Sequence, residues 1–329
     1  VGAQTAALGA SFDAIRPRLA LVERFIAEQL ADGPEPVREV GAYVLEAGGK
    51  RLRPAILLVA ARLLGYEGDR DVRYGAIVEM IHTATLVHDD IIDRATVRRG
   101  RVTANHRWGN QLTVLLGDWL YLRALELALQ VDDLPAMRVL SSATTQMTDG
   151  EILGLRLQGS MRVSQEQYLE VTRRKTAELF AAACSLPATF SPAYEPYRPA
   201  LEEYGRNIGM CFQIIDDVLD ITASQTRLGK PVFSDLREGK FTLPFILALP
   251  HLERDERDLV ERVLASGEMG PPTLAALREL LDRHDAVAQS RQLAEEYGRR
   301  AVAALSLLPA CIERDALAAA PRYVLERDS

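Results

Sequence analysis

The sequence predicts an all-α protein, one large single-domain helical bundle spanning 1–329, with the first ten or so residues loose. Three observations carry that expectation. Apolar residues recur at helical spacing along most of the chain, the good helix formers Ala, Leu, Arg and Glu abound, and no run alternates apolar and polar residues as a strand would.

The elements can be argued in order. Residues 11–31 read as an amphipathic helix stopped by Gly33-Pro34, and 36–47 as a second stopped by Gly48-Gly49. A third opens around Pro54, a residue suited to a first helical turn, and ends near Gly65. Residues 71–94 read as a long helix carrying IHTATLVHDDIID, and Gly100 and Gly109 bracket the loop after it. Helices follow at 111–131, 135–158, 164–186 and 200–223, the last carrying FQIIDDVLD. A loop at 226–240 with Gly, Lys and Pro leads to helices at 242–249, 256–265, 273–282, 285–306 and 313–325.

Composition excludes several classes. With 39 basic and 46 acidic residues the net charge is −7, against a general nucleic-acid binder. No apolar run reaches about 18 residues and no signal peptide is visible, so neither a transmembrane segment nor export is expected, and a cytoplasmic location is. Cys184, Cys211 and Cys311 are scattered and odd in number, so buried reduced thiols are expected rather than disulfides or a zinc site.

The strongest feature is Asp89-Asp90-Ile91-Ile92-Asp93, which recurs as Asp216-Asp217-Val218-Leu219-Asp220. On a helix, positions i and i+4 lie about 40° apart and one turn along the axis, so the outer aspartates of each run point the same way. Their neighbours are apolar, and uncompensated carboxylates in such surroundings are costly. A divalent cation removes the conflict. Carboxylates without His or Cys suit Mg²⁺ or Mn²⁺ rather than zinc, and Mg²⁺ shares its shell with substrate phosphates. Two such clusters facing one another could clamp a diphosphate through several ions.

A metal-bound diphosphate also needs cations on its free oxygens. Candidate segments are Gly48-Gly49-Lys50-Arg51-Leu52-Arg53-Pro54, Arg98-Arg99-Gly100, Lys175-Thr176, Lys230 and Lys240. They hold eight of the 39 basic residues, yet all four lysines of the chain; the other 35 basic residues are arginine. A compact ammonium and a planar guanidinium are not interchangeable beside a crowded phosphate cluster.

These motifs, with GDWLY at 117–121, GE at 150–151, RKTAELF at 174–180, GK at 229–230 and DLREGKFTLP at 235–244, resemble the (E)-isoprenyl diphosphate synthases. The resemblance runs from about residue 40 to about 325, and DLREGKFTLP and Thr83-Ala84-Thr85 are similar to the long-chain, octaprenyl type. It implies an all-α, homodimeric fold with a central cavity. It also implies about three Mg²⁺ ions per active site, held by Asp89, Asp93, Asp216 and Asp220, with Asp90 and Asp217 supporting. Arg98, Lys175, Lys230 and Lys240 would hold the allylic diphosphate, farnesyl or geranylgeranyl diphosphate. Lys50, Arg53, His82 and Arg99 would hold isopentenyl diphosphate, with Arg51 between them in a less defined role. Thr176 and Gln213, with Lys175 and Lys230, would form the catalytic set, the first two stabilising the allylic cation. His88 is left as structural.

Product length follows from the same helix. An extended isoprene unit of about 5 Å nearly matches the 5.4 Å helical pitch, so each turn back from Asp89 gauges one unit. Short-chain members of the family carry an aromatic residue four or five positions before the first aspartate, where this chain has Thr85 and Ala84. With Ile81 one turn deeper and Leu140 on a facing helix, the expectation is a product of about C30–C50, centred on C40. Release of so apolar a product calls for a membrane. The alternatives are a C20–C25 synthase and a subunit of a heteromeric synthase. A terpene cyclase fits less well, since it would not repeat DDxxD or need GGKRLRP with Arg99.

Overall fold

The expected helices form in a computed structural model that describes residues 2–223 and 232–327, with side chains from residue 13 onward. α1 (Gly2–Ala31) opens the chain, followed by α2 (Glu35–Glu46), α3 (Leu52–Leu63) and α4 (Arg70–Ile92). α1 runs from Gly2, ahead of residue 11, because the Ala-rich start has the propensity to extend it. Beyond α4, Gly100 and Gly109 predict only a bracketed loop. The structure instead has two short antiparallel strands, β1 (Val97–Arg98) and β2 (Arg101–Val102), and the short helix α5 (Ala104–Trp108). Two-residue strands are too short to show alternation. Their turn is Arg99-Gly100, with φ of 52° and 72°, in place of the usual Asn-Gly signal.

α6 (Asn110–Gln130) and α7 (Leu134–Leu157) follow as expected. The helix expected at 164–186 is interrupted. α8 (Gln165–Thr172) starts from a capping box between Ser164 and Gln167 and passes into a π-helical turn at Arg173–Ala177, then α9 (Glu178–Ser185). A 3₁₀ turn at Leu186–Phe190 leads on to α10 (Arg198–Thr222). Among the described residues the further α-helices are Ser234–Arg237, which lies inside the expected loop, then Leu243–Ala248, Arg254–Ser266, Pro271–Arg283, Ala286–Ala304 and Ile312–Leu325.

Contacts gather the chain into two compact units. The first holds the chain up to Ala143, with Leu179–Gly205 and Val302–Ala320. Its centre is α4, which packs on α1, α3 and α6. Tyr74, Ala76, Ile77, Val78, Met80 and Ile81 are all fully buried, so α4 is covered on every side, as an all-round apolar helix must be. Tyr74 stacks on Phe190 with centroids 5.5 Å apart. Tyr204 Oη donates to the Leu317 carbonyl at 2.9 Å, and Arg62 pairs with Glu313 at 3.1 Å, which fastens the last helix to this unit.

The second unit holds Thr144–Glu178, Arg206–Ala301 and the chain from Pro321. Here Leu243–Ala248 packs on α8, and Ser234–Arg237 on Arg254–Ser266. Phe233, Phe241 and Phe245 are buried together, with ring centroids about 6 Å apart. Cys184 and Cys211 are buried thiols as expected, whereas Cys311 is half-exposed. No described helix is long and apolar enough to cross a membrane.

Candidate active site

The first aspartate motif lies where α4 emerges from its core. Ile81 and Ala84 are buried, and Asp89 and Asp93 are half-exposed. The helix ends in a left-handed cap. Arg94 takes φ 52°, its amide donates to Ile91 O at 3.2 Å, and the Ala95 amide donates to Asp90 O at 2.9 Å. Asn105 Nδ2 adds a second donor to the same carbonyl at 3.2 Å. Asp90 itself turns inward. It is 6 % exposed and accepts from Arg98 Nε at 2.5 Å, so the hairpin is what brings Arg98 to the motif. Burial raises the Asp90 carboxyl above the usual range, against the pull of Arg98.

The hairpin turn also carries Arg99 against the glycine loop. A Cβ on Gly49 would meet Arg99 Nη1 at 2.9 Å, so only glycine lets the guanidinium lie there. His82, one side of α4 away, sits amid this charge. Burial first, then Arg53, Arg99, Arg98 and Arg51, hold its imidazole well below the usual pKa, so it is neutral at physiological pH. Arg53 lies 4.4 Å over the Phe180 ring, and Arg99 is itself lowered by desolvation and by Arg98 and Arg51. Lys50 is exposed at the rim of this loop.

Arg51 behaves differently from its neighbours. It adopts φ 46° at the start of α3 and turns back to Glu79 Oε1 at 2.6 Å and Glu23 Oε1 at 3.3 Å. The side chains of Arg51 and Glu79 are 10 % and 5 % exposed, so this is a buried pair that pins the loop to α4. Breaking such a pair from one side costs about 3–5 kcal/mol. His88 packs between helices. Its ring lies against Gly117, and Nε2 is 3.4 Å from Asp118, which accounts for two residues of GDWLY. Among the residues expected to gauge chain length, Ile81, Ala84 and Leu140 are buried, and Thr85 donates to His82 O at 2.8 Å.

In the second unit, α10 carries the second motif. Asp216 is half-exposed and pairs with Arg327 Nη2 at 3.0 Å. Asp217 is 5 % exposed and accepts from Tyr168 Oη at 2.7 Å and Gln213 Nε2 at 2.8 Å. Burial, Asp235 and Asp216 push its carboxyl up to about 8 against those two donors. Asp220, expected as a metal ligand, lies deeper than Asp216. It is 2 % exposed and accepts from Ser234 Oγ at 2.5 Å and the Asp235 amide at 3.2 Å.

Thr176 stands in the π-helical turn, and its Oγ1 donates to Gln213 Oε1 at 2.9 Å. π-turns inside helices recur at functional sites, because the extra residue re-aims the side chains. Gly150 on α7 makes the turn accessible. A Cβ there would meet the Lys175 amide nitrogen at 2.6 Å and Arg174 Cβ at 2.7 Å. The next residue, Glu151, pairs with the Lys175 ammonium, and Lys240 pairs with Glu238 Oε2 at 2.8 Å. Lys230 lies outside the described residues. Tyr168 and Arg327 are site neighbours that the sequence alone does not single out, and Glu151, part of the GE motif at 150–151, gains its partner here.

The donor chemistry of each motif by itself suits a hard divalent cation: Asp89 and Asp93 in the first unit, and Asp216 in the second, are half-exposed carboxylates. Among the described residues no three His, Cys, Asp or Glu side chains gather closely enough to hold an ion by themselves.

Comparison with known proteins follows the same line. A family model described as polyprenyl synthetase matches residues 34–281. The chain is 37 % identical over 310 residues to octaprenyl diphosphate synthase of Escherichia coli, covering 94 % of this chain and 96 % of that protein. It is 37 % identical over 325 residues to heptaprenyl diphosphate synthase component 2 of Geobacillus stearothermophilus, covering 98 % and 99 %. A crystal structure of polyprenyl synthase from Caulobacter crescentus, complexed with calcium and isoprenyl diphosphate, superposes with a TM-score of 0.92 at 36 % identity, covering 98 % of each chain.

Proposed function

The chain belongs to the polyprenyl synthetase family of prenyltransferases, and from that premise we propose that it is an (E)-polyprenyl diphosphate synthase with a long-chain product. It would condense isopentenyl diphosphate head-to-tail onto an allylic diphosphate, farnesyl or geranylgeranyl diphosphate. The observation that carries the reading is the cationic nest around His82. There the glycine loop, the hairpin and α4 bring Arg53, Arg98 and Arg99 together beside the first aspartate motif. A nest of that kind suits a second diphosphate, which a terpene cyclase does not need.

Asp89, Asp93 and Asp216 would hold Mg²⁺, or Mn²⁺, about three ions in all. Asp220, the last carboxylate of the second motif, would join them. When bound, the metal would supply the positive charge that lets the allylic C–O bond ionise. Arg98, Lys175 and Lys240, with Lys230, would grip the allylic diphosphate. Lys50, Arg53, Arg99 and neutral His82, acting as a hydrogen-bond donor, would grip isopentenyl diphosphate. Thr176 and Gln213 would turn oxygen lone pairs to the allylic cation. The double bond of isopentenyl diphosphate would then add to that carbon, and a proton would leave to the released diphosphate. Positioning and charge stabilisation account for the rate without a nucleophilic side chain.

Small Thr85 and Ala84 support a product of about C30–C50, centred on C40. Leu115, Leu122 and Leu129 recur every seventh residue on α6 and are 60 %, 63 % and 63 % exposed, which supports a homodimer through that face. The kinship to a heptaprenyl synthase component supports, less directly, a role as one subunit of a heteromeric enzyme. The family match crosses both compact units, in keeping with one catalytic domain. The buried thiols Cys184 and Cys211 suit the cytoplasm, with product passing to a membrane. Radiolabelled isopentenyl diphosphate, farnesyl diphosphate and Mg²⁺ test the reading. The purified chain should incorporate label and Asp89→Ala should not, whereas a fully active Asp89→Ala would remove the metal-holding role.

A further inference from the structure

Thr176 and Gln213 can serve a developing positive charge only if their oxygens, and not their hydrogens, face it. Nothing in either residue alone fixes that. A hydroxyl rotates freely, and an amide can present either end. The second unit contains an arrangement that does fix it. Asp217 Oδ1 lies 2.8 Å from Gln213 Nε2, and Gln213 Oε1 lies 2.9 Å from Thr176 Oγ1. Gln213 Nε2 donates to Asp217 Oδ1, which turns the amide's NH₂ toward Asp217 and its carbonyl toward Thr176. The Thr176 hydroxyl then spends its single proton on that carbonyl, and its lone pairs point elsewhere.

The orientation of the whole chain therefore depends on where the Asp217 carboxyl sits, and that is set from the far side by Tyr168. Tyr168 Oη is 2.7 Å from Asp217 Oδ2, and the phenol is buried on α8. Tyr168 Oη donates to Oδ2, which leaves Oδ1 facing the Gln213 amide as its acceptor. α8 runs directly into the π-helical turn that holds Thr176, so one short segment grips both ends of the relay.

We propose that Tyr168 is a positioning residue for the prenyl-transfer reaction: it anchors Asp217 and, through Asp217 and Gln213, fixes the lone-pair direction of Thr176. This rests on the proposed function and extends it to a residue outside the aspartate, lysine and arginine motifs. Its effect should fall on the chemical step and not on the binding of either diphosphate, because no link of the relay is a cation.

Steady-state kinetics of the full chain with Mg²⁺, isopentenyl diphosphate and farnesyl diphosphate test it. Tyr168→Phe keeps the ring and removes the anchor. It should lower kcat by about tenfold or more while both KM values stay within about twofold. In a Gln213→Ala background the same substitution should change kcat by less than about twofold, because the relay is already cut. An unchanged kcat, a loss confined to KM, or equal fold-losses in both backgrounds would overturn the proposal. Should Tyr168→Phe fail to fold, 4-aminophenylalanine and 4-methylphenylalanine at the position make a matched pair with and without a donor. The amino form should keep a kcat near wild type and the methyl form should not; equal rates would overturn the proposal. A wild-type chain that turns over no substrate would overturn the proposed function itself, which separates the two failures.

Discussion

Arg327 Nη2 lies 3.0 Å from Asp216 Oδ1, so the first carboxylate of the second motif already holds a cation drawn from just beyond the helix Ile312–Leu325. The guanidinium is 8 % exposed and is steadied 4.5 Å above the Phe212 ring. A divalent ion at Asp216 has to compete with it. Arg327→Met is expected to bind Mg²⁺ severalfold more tightly when the substrate-free protein is titrated by calorimetry, since a charged hydrogen bond of about 1.5–3 kcal/mol is no longer lost. Weaker binding in the variant would make the arginine a helper and not a rival.

Gly150→Ala tests the support of the π-helical turn. The added carbon would press on the Lys175 amide nitrogen and Arg174 Cβ, neither of which can swing away. Overpacking of this kind costs about 1–3 kcal/mol, and a shift of Thr176 should cost turnover beyond that. The expected outcome is a lower Tm with kcat reduced about tenfold or more. A variant with wild-type kcat would show that the close approach of α7 serves stability alone.

The Asp217 carboxyl, raised by burial and by Asp235 and Asp216 to about 8, ties stability to pH. Its unfolded value is near 3.9, so the native chain binds a proton that the unfolded chain releases. The resulting stability is fully present below about pH 4 and is lost as pH rises to about 8. In metal-free buffer, Tm of the wild type should fall over that window more steeply than Tm of Asp217→Asn. Parallel curves would contradict the assignment.

Leu122 is 63 % exposed at the middle of the α6 leucine series. Leu122→Glu costs the isolated fold little and places a charge in any self-contact through this face. Sedimentation is expected to show a dimer for the wild type and a monomer for the variant. A dimeric variant would move the interface elsewhere.

Much of this was legible in the sequence because it is local. The i, i+4 spacing of Asp89 with Asp93 and the apolar run before it place a carboxylate pair at the end of a buried helix, and α4 has that form. Residues 70–92 and 198–222 carry enough helical periodicity to be bounded within a few positions. What escaped depends on partners distant in the chain. Tyr168 reads as one more aromatic on a helix until Asp217 is found beside it. Arg327 lies just beyond the helix Ile312–Leu325 with no pattern of its own, and Glu151 acquires meaning only against Lys175. The π-turn at Arg173–Ala177 has no composition signature, since the same residues would continue an α-helix equally well. Asp220 looked equivalent to Asp93 by spacing, and only the packing of Ser234 against it sets the two apart.

The product of the single purified chain tests the account most directly. Given Mg²⁺, farnesyl diphosphate and excess isopentenyl diphosphate, mass spectrometry is expected to find an all-trans polyprenyl diphosphate of about C30–C50, centred on C40, and a shorter one from Ala84→Phe. A C20 or C25 product, or none without a second protein, would contradict the long-chain reading.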